Sequence, residues 1–350
     1  MLITWSNIAD AQVFNSPESV EFDYARNRWL ISNNGSGEIL SKNSSSGELT
    51  VFASNIPSGP HGLEIIEDTV YACDGGTLKA FNLNTGEQIF SQSLGASFLN
   101  GITKDTSKNL YITDFSAKKI FRFNAKNRSF STLAANTVST PNGIIFDLPN
   151  NRCVFVNWGS AAPVKAIDIA TGTISTLATT TLGNCDGIAK DGAGNYYISS
   201  WSGGSKITRF NPNFTSSSTV VSTGLSSPAD ICYNLLTDTL AVPNSGSGNT
   251  VTFHYFGSTT ATQPLEEPMN LRIFPNPASK WVQMTFSRLA QADHAELLDA
   301  QGRQVHGFNF EPMVLGSSPT LVDVSALSPG IYFVKLMIGN RLHTQSLQVE

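Results

Sequence analysis

Two carboxylates, two carboxamides and an imidazole recur along this chain at nearly constant spacing. They sit in a repeated phrase: Pro17-Glu18-Ser19-Val20, Pro60-His61-Gly62-Leu63, Leu99-Asn100-Gly101-Ile102, Pro141-Asn142-Gly143-Ile144, Cys185-Asp186-Gly187-Ile188 and Pro228-Ala229-Asp230-Ile231. The second residues fall at 18, 61, 100, 142, 186 and 229, so successive steps are 43, 39, 42, 44 and 43. Carboxylate and amide oxygens are the hard donors that calcium and magnesium prefer. An imidazole beside such a site can take a proton near neutral pH. If the six phrases converge, Glu18, His61, Asn100, Asn142, Asp186 and Ala229 form one column. The column can hold a divalent cation, or it can be the polar lining of a water-filled tunnel.

The elements between the phrases decide whether they converge. Each phrase opens a short strand that ends in a turn about five residues on, at Asp23, Ile66-Glu67, Asp105, Asp147, Asp191 and Asn234. A second strand follows in every unit, as at Leu110 to Thr113, and a third, as at Ile120 to Asn124. A fourth, as at Thr173 to Leu177, leads to the next unit. Four antiparallel strands in about 40 residues make one propeller blade. Six units over residues 1–256 predict an all-β, six-bladed β-propeller whose first strands line the axis. The sixth unit has no clear fourth strand, and Leu2-Ile3-Thr4-Trp5-Ser6 is expected to supply it, closing the ring. The second strands return to the same mouth and end at Asn33, Asp74, Asp114, Asn157, Ser200 and Asn244, with Phe115, Trp158 and Trp201 next in line. Of these, Asp74, Asp114, Trp158 and Trp201 are expected to line a substrate wall, together with Asn100.

On these phrases, residues 10–256 resemble the senescence-marker-protein/gluconolactonase family and the related paraoxonases. The resemblance implies that Glu18, Asn142 and Asp186 bind a divalent metal, most readily calcium, with magnesium, manganese or zinc as other choices. It also implies that Asn100 assists metal or substrate and that His61 is a base. Ser19 departs from the family, which usually has Gly there, and the sixth phrase offers Ala229.

The bulk composition narrows the classes. The 350 residues are 14% charged with a formal net charge of -5, and no basic cluster is present to bind nucleic acid. No apolar run approaches the roughly 18 residues needed for a membrane span. Cys73, Cys153, Cys185 and Cys232 lack metal or redox spacing and are expected to be unpaired thiols. Met1 to Asn7 lacks the basic stretch and apolar core of a secretory leader, so an exported chain is expected to have shed one. The propeller is expected to be a monomer.

Residues 257–269 read as a linker, and the pattern changes after them. Alternating segments in 270–350 predict a small, seven-stranded, Ig-like β-sandwich. The phrases Phe274-Pro275-Asn276-Pro277, Leu298-Asp299-Ala300-Gln301-Gly302-Arg303 and Leu327-Ser328-Pro329-Gly330-Ile331-Tyr332-Phe333-Val334 resemble the sorting domain of the type IX secretion system. That resemblance implies a chain delivered outside a Gram-negative cell or attached to its outer surface, with the secretion machinery as partner. The usual terminal Lys is missing from Ser346 to Glu350.

Two functions fit: a secreted, metal-dependent hydrolase of lactones or related esters, and a non-catalytic propeller that binds a glycan, peptide or surface component around a structural ion. No Gly-x-Ser-x-Gly elbow supports a serine hydrolase. Glu18 and Asp186 as a glycosidase pair are less well explained than as ligands of one cation.

Overall fold

The computed structural model describes residues 13–257, 271–286, 290–292, 294–305, 313–315, 320–338 and 341–350. Five four-stranded antiparallel sheets follow one another in the chain, and a three-stranded sheet comes sixth. They are blades one to six, spanning 17–53, 63–93, 99–134, 140–178, 183–221 and 232–255. The strand expected to complete blade six, Leu2 to Ser6, lies outside the described residues.

The ring closes through its cores. Six apolar clusters each join two neighbouring blades. Leu30 and Ile39 of blade one meet Leu63 and Phe81 of blade two, and Tyr111 and Ile120 of blade three meet Cys153 and Phe155 of blade four. The last cluster brings Ala241 of blade six against Val20, Phe22 and Trp29 of blade one. Alternation drives this arrangement, because each strand sends successive side chains to opposite faces and both faces of a blade are covered by neighbours. Fully burying one such Phe or Leu is worth about 1.5–3 kcal/mol.

Glycines set how closely the innermost strands approach. A Cβ on Gly62, Gly101 or Gly143 would lie 2.2, 2.5 or 2.5 Å from the carbonyl oxygen of Asn100, Asn142 or Asp186 in the next blade, and one on Gly187 would lie 2.7 Å from that of Ala229. No side chain fits there, which explains the glycine after each column residue in blades two to five. The four cysteines are unpaired thiols, and the only helical turns among the described residues are Asn34–Ser36 and Leu148–Asn150.

The carboxy-terminal part carries eight strands among the described residues, not the expected seven. They form sheets of three, two and three strands around a core of Leu271, Ile273, Val282, Met284, Leu297, Val334, Leu336 and Leu347. Two of the eight, the paired strands Ala290–Ala292 and Met313–Leu315, are three residues long and too short to show a periodicity of their own. Each of the three sequence phrases fixes a join. Asn276 donates from Nδ2 to the Ser346 carbonyl at 2.9 Å and accepts the Gln348 N–H at 2.8 Å. Asp299 Oδ1 accepts the N–H groups of Gln301 and Arg303, both at 2.9 Å. The Tyr332 hydroxyl donates to the Ser328 carbonyl at 2.7 Å.

Candidate functional site

The column residues leave the strand ladder at β-bulges. In blade one the pairing steps from Pro17 opposite Asn33 to Ser19 opposite Ser32, leaving Glu18 as the extra residue. The same slip falls between Leu99 and Ile102, between Pro141 and Ile144, and between Cys185 and Ile188, around Asn100, Asn142 and Asp186. A bulge frees one residue from the ladder and re-aims its side chain, so four blades turn a donor out of the sheet at one level. Each bulge is tied to the next blade. The Gly62 N–H bonds the Asn100 carbonyl at 3.0 Å and the Asp230 N–H bonds the Glu18 carbonyl at 2.9 Å. Elsewhere a hydroxyl bridges the gap. Thr113 Oγ1 accepts the Gly101 N–H at 2.8 Å and donates to the Asn142 carbonyl at 2.8 Å, and Ser199 joins Gly187 to Ala229 in the same way.

Asn142 and Asp186 are buried, Glu18 is half-buried, and the two carboxyl groups repel each other. Asn142 and Asp186 are each 2% exposed, and their Oδ1 atoms have no hydrogen-bond partner among the described residues. Asn142 Nδ2 donates to the Cys185 carbonyl at 3.3 Å, which leaves its oxygen as the open end. Burial first, then the charges of Glu18 and Asp230, push the Asp186 carboxyl well above the usual range, against the pull of the Asn142 amide. Burial also raises Glu18, although the Ser245 hydroxyl donates to its Oε2 at 2.6 Å. Stranded buried oxygens and carboxylates that repel one another are what a cation would satisfy. Among the described residues no three His, Cys, Asp or Glu side chains converge as a ready-made cage. The oxygens that could serve a cation here are the carboxylates of Glu18 and Asp186 and the amide oxygen of Asn142.

His61 and Asn100 occupy the neighbouring blades of the same ring. Asn100 is 5% exposed. The His61 ring meets Phe98 edge-on at 4.6 Å, its Nε2 lies 3.1 Å from Asn34 Nδ2, and its Nδ1 is buried without a partner among the described residues. Burial lowers the imidazole to about 4, with Asp74 pulling weakly the other way, so the ring is neutral at pH 7.

The expected substrate wall divides in two. Asp74 and Asp114 turn away from a ligand role. Asp74 Oδ1 accepts the Ser58 N–H at 2.7 Å and its Oδ2 pairs with Lys79 at 2.8 Å. Asp114, fully buried, accepts the N–H groups of Ser97, Phe98 and Ala117 at 2.8, 3.1 and 3.0 Å. Both pin the loop that enters their own blade. Asn33 and Asn244 do the same for Asn15 and Ser226. The aromatics fare differently. His61, Phe98, Phe115, Trp158 and Trp201 form an unbroken chain of ring contacts at 4.6, 5.7, 5.9 and 4.9 Å, all half-buried, across blades two to five. Trp201 is anchored by its Nε1 to the Pro228 carbonyl at 2.9 Å.

Ser245 and Asp230 are not singled out by the sequence, and Ser19 stands out there only as a departure from glycine. Ser245 holds Glu18 from blade six. Ser19 and Asp230 are hydrogen-bonded to each other at 3.0 Å. The only signal was that both break the glycine register, at the position after the column residue.

Residues 272–350 match the family profile described as the secretion system C-terminal sorting domain. The tail is a secretion sorting domain. With it the chain is directed through type IX secretion to the cell surface or beyond, and the sorting domain's machinery is a partner of this protein. No curated protein matches the chain in sequence. Among solved structures the propeller is similar to regucalcin, a calcium-binding protein from Agrobacterium tumefaciens, at 20% identity and TM-score 0.53, covering 67% of this chain and 83% of that one. It is also similar to streptogramin B lyase, at 14% identity, TM-score 0.54 and coverages of 72% and 86%. A Bacteroides thetaiotaomicron protein of unknown function gives 15%, 0.58 and 69% of each chain. At these identities the likeness is one of fold, and it agrees with the propeller reading.

Proposed function

We propose that this secreted propeller is a metal-dependent hydrolase of lactones or related esters, with its site at the mouth of the axis. The observation that carries the reading is the pair of stranded buried oxygens, Asn142 Oδ1 and Asp186 Oδ1, beside the repelling carboxylate of Glu18. Glu18, Asn142 and Asp186 would hold a divalent cation, calcium first; the calcium-binding fold neighbour agrees with that choice. When bound, such an ion supplies Lewis-acid polarisation of the substrate carbonyl. Asn100 orients the substrate beside it. His61, neutral at pH 7, takes the proton of the attacking water at Nε2 as that atom exchanges the Asn34 amide for water. Trp158 and Trp201 wall the bound ring or acyl group and exclude solvent.

The test is pH-stat hydrolysis of a panel of lactones and simple esters by the chelator-treated protein, before and after calcium. Turnover that returns with calcium and is lost in Asp186→Asn is expected. A panel with no turnover under any divalent metal would overturn the hydrolase reading. One observation favours a second reading, a ligand-binding propeller with a structural ion: an imidazole lowered to about 4 is a weak base. In that case ligand capture at the aromatic chain survives His61→Gln.

A further inference from the structure

The glycine ring around the axis is broken twice, at Ser19 and Asp230, and the two replacements meet. The Ser19 hydroxyl oxygen accepts the Leu63 N–H at 3.3 Å, which leaves its own hydrogen for Asp230 Oδ2 at 3.0 Å. The Asp230 backbone is tied in turn to the Glu18 carbonyl at 2.9 Å. The carboxylate is thus fixed from side chain and main chain, one position further along its phrase than Glu18 and Asp186 are in theirs. Both of those carboxylates are within reach of electrostatic interaction with it. The open oxygens of Asn142 and Asp186, each in a residue 2% exposed, mark where a cation would sit.

We propose that Asp230, clamped by Ser19, is a third carboxylate of the axial site that acts on the cation through space and sets its affinity and charge preference. This rests on the axial cation reading above. No three acidic side chains among the described residues converge on one point, so with Glu18 and Asp186 as the ligands Asp230 stands outside the ligand set. Its effect is Coulombic, and Coulomb energy scales with the charge of the ion. Whatever factor the charge gives a divalent ion is raised to the power of about 1.5 for a trivalent ion at the same geometry, so a loss of about tenfold for the first is about thirtyfold for the second. Loss of packing would change both by one factor.

The experiment measures Tb3+ luminescence and its displacement by Ca2+ in the full-length, chelator-treated protein. Wild type is compared with Asp230→Asn, Ser19→Ala and the double variant. Asp230→Asn is expected to weaken Ca2+ about tenfold and Tb3+ about thirtyfold. Ser19→Ala is expected to weaken both ions less, and to add little once Asp230 is neutral, the mark of a coupled pair. Should Asp230→Asn fail to fold, the pair Ser19→Gly with Asp230→Gly restores the glycine register and is read in its place. Equal affinities in wild type and variant, or equal fold-losses for the two ions, overturn the proposal. A wild type that binds while Asp186→Asn does not and Asp230→Asn is unaffected defeats this proposal alone. A wild type that binds neither ion defeats it together with the axial cation.

Discussion

At the scale of residues, the column was legible because a repeat lists groups that meet in space. Glu18, Asn100, Asn142 and Asp186 each fall at a bulge in the pairing. What the sequence hid is direction. Asp74 and Asp114 carry the same carboxylate as a ligand aspartate, yet loop N–H groups and, for Asp74, the Lys79 ammonium take their oxygens, and residue type alone cannot show that. Charge at this scale gives a pH signature. Burial, then Glu18, holds Asp230 up at about 7, from an ordinary value of 3.8. A carboxyl raised in the folded state stabilises the fold fully below its unfolded value, and that stability is lost as pH rises through the folded value. The chelated protein should therefore melt at a lower temperature at pH 8 than at pH 5. Calcium should erase most of that slope, as melting scans across this range with and without the ion would show. If His61 is the base, His61→Gln should lower kcat by about 10²–10⁴ while leaving calcium binding in place. Steady-state kinetics beside a calcium titration separates the two effects.

At the scale of elements, three devices recur around the ring: a bulge that turns out the donor in blades one, three, four and five, a glycine that lets the next blade approach in blades two to five, and a buried side chain at the end of the second strand that pins the entering loop in every blade but the fifth. The repeat announced the strands. It could not announce the bulge, since one unpaired residue leaves no mark on an alternating pattern. Pinning predicts stability effects away from the chemistry. Asp114→Ala leaves three part-buried N–H groups without their acceptor and should cost about 1–3 kcal/mol in denaturant unfolding. Gly143→Ala forces a Cβ to 2.5 Å from the Asp186 carbonyl. It should destabilise the fold by at least about 1–3 kcal/mol and weaken cation binding at the same time, because the strained carbonyl belongs to a ligand residue. Blade five lacks an acidic or amide pin. Ser200 stands in its place with a buried hydroxyl that has no partner among the described residues, and nothing else in the structure explains that choice.

At the scale of the whole molecule, the six-fold repeat and the three tail phrases were the most readable features, because each phrase carries a backbone join of its own. Closure of the ring was less readable. It is visible in the apolar cluster and the Asp230 to Glu18 hydrogen bond between blades six and one; the expected amino-terminal strand lies outside the described residues. Asn276→Ala, which removes both bonds to the last strand, should impair surface delivery in a type IX-competent host while leaving propeller activity in the cell extract intact. Fractionation of the expressing cells would check this. The central claim is that Glu18, Asn142 and Asp186 hold a divalent cation at the axis. Its most direct test is the melting temperature of the chelator-treated chain as calcium is added, in wild type and in Asp186→Asn. Ligand binding to the folded state alone raises stability by about 2.7 kcal/mol at a hundredfold excess over Kd. A rise of several degrees is therefore expected in wild type and none in the variant. A wild type whose melting temperature does not move, or a variant that responds as strongly, would contradict it.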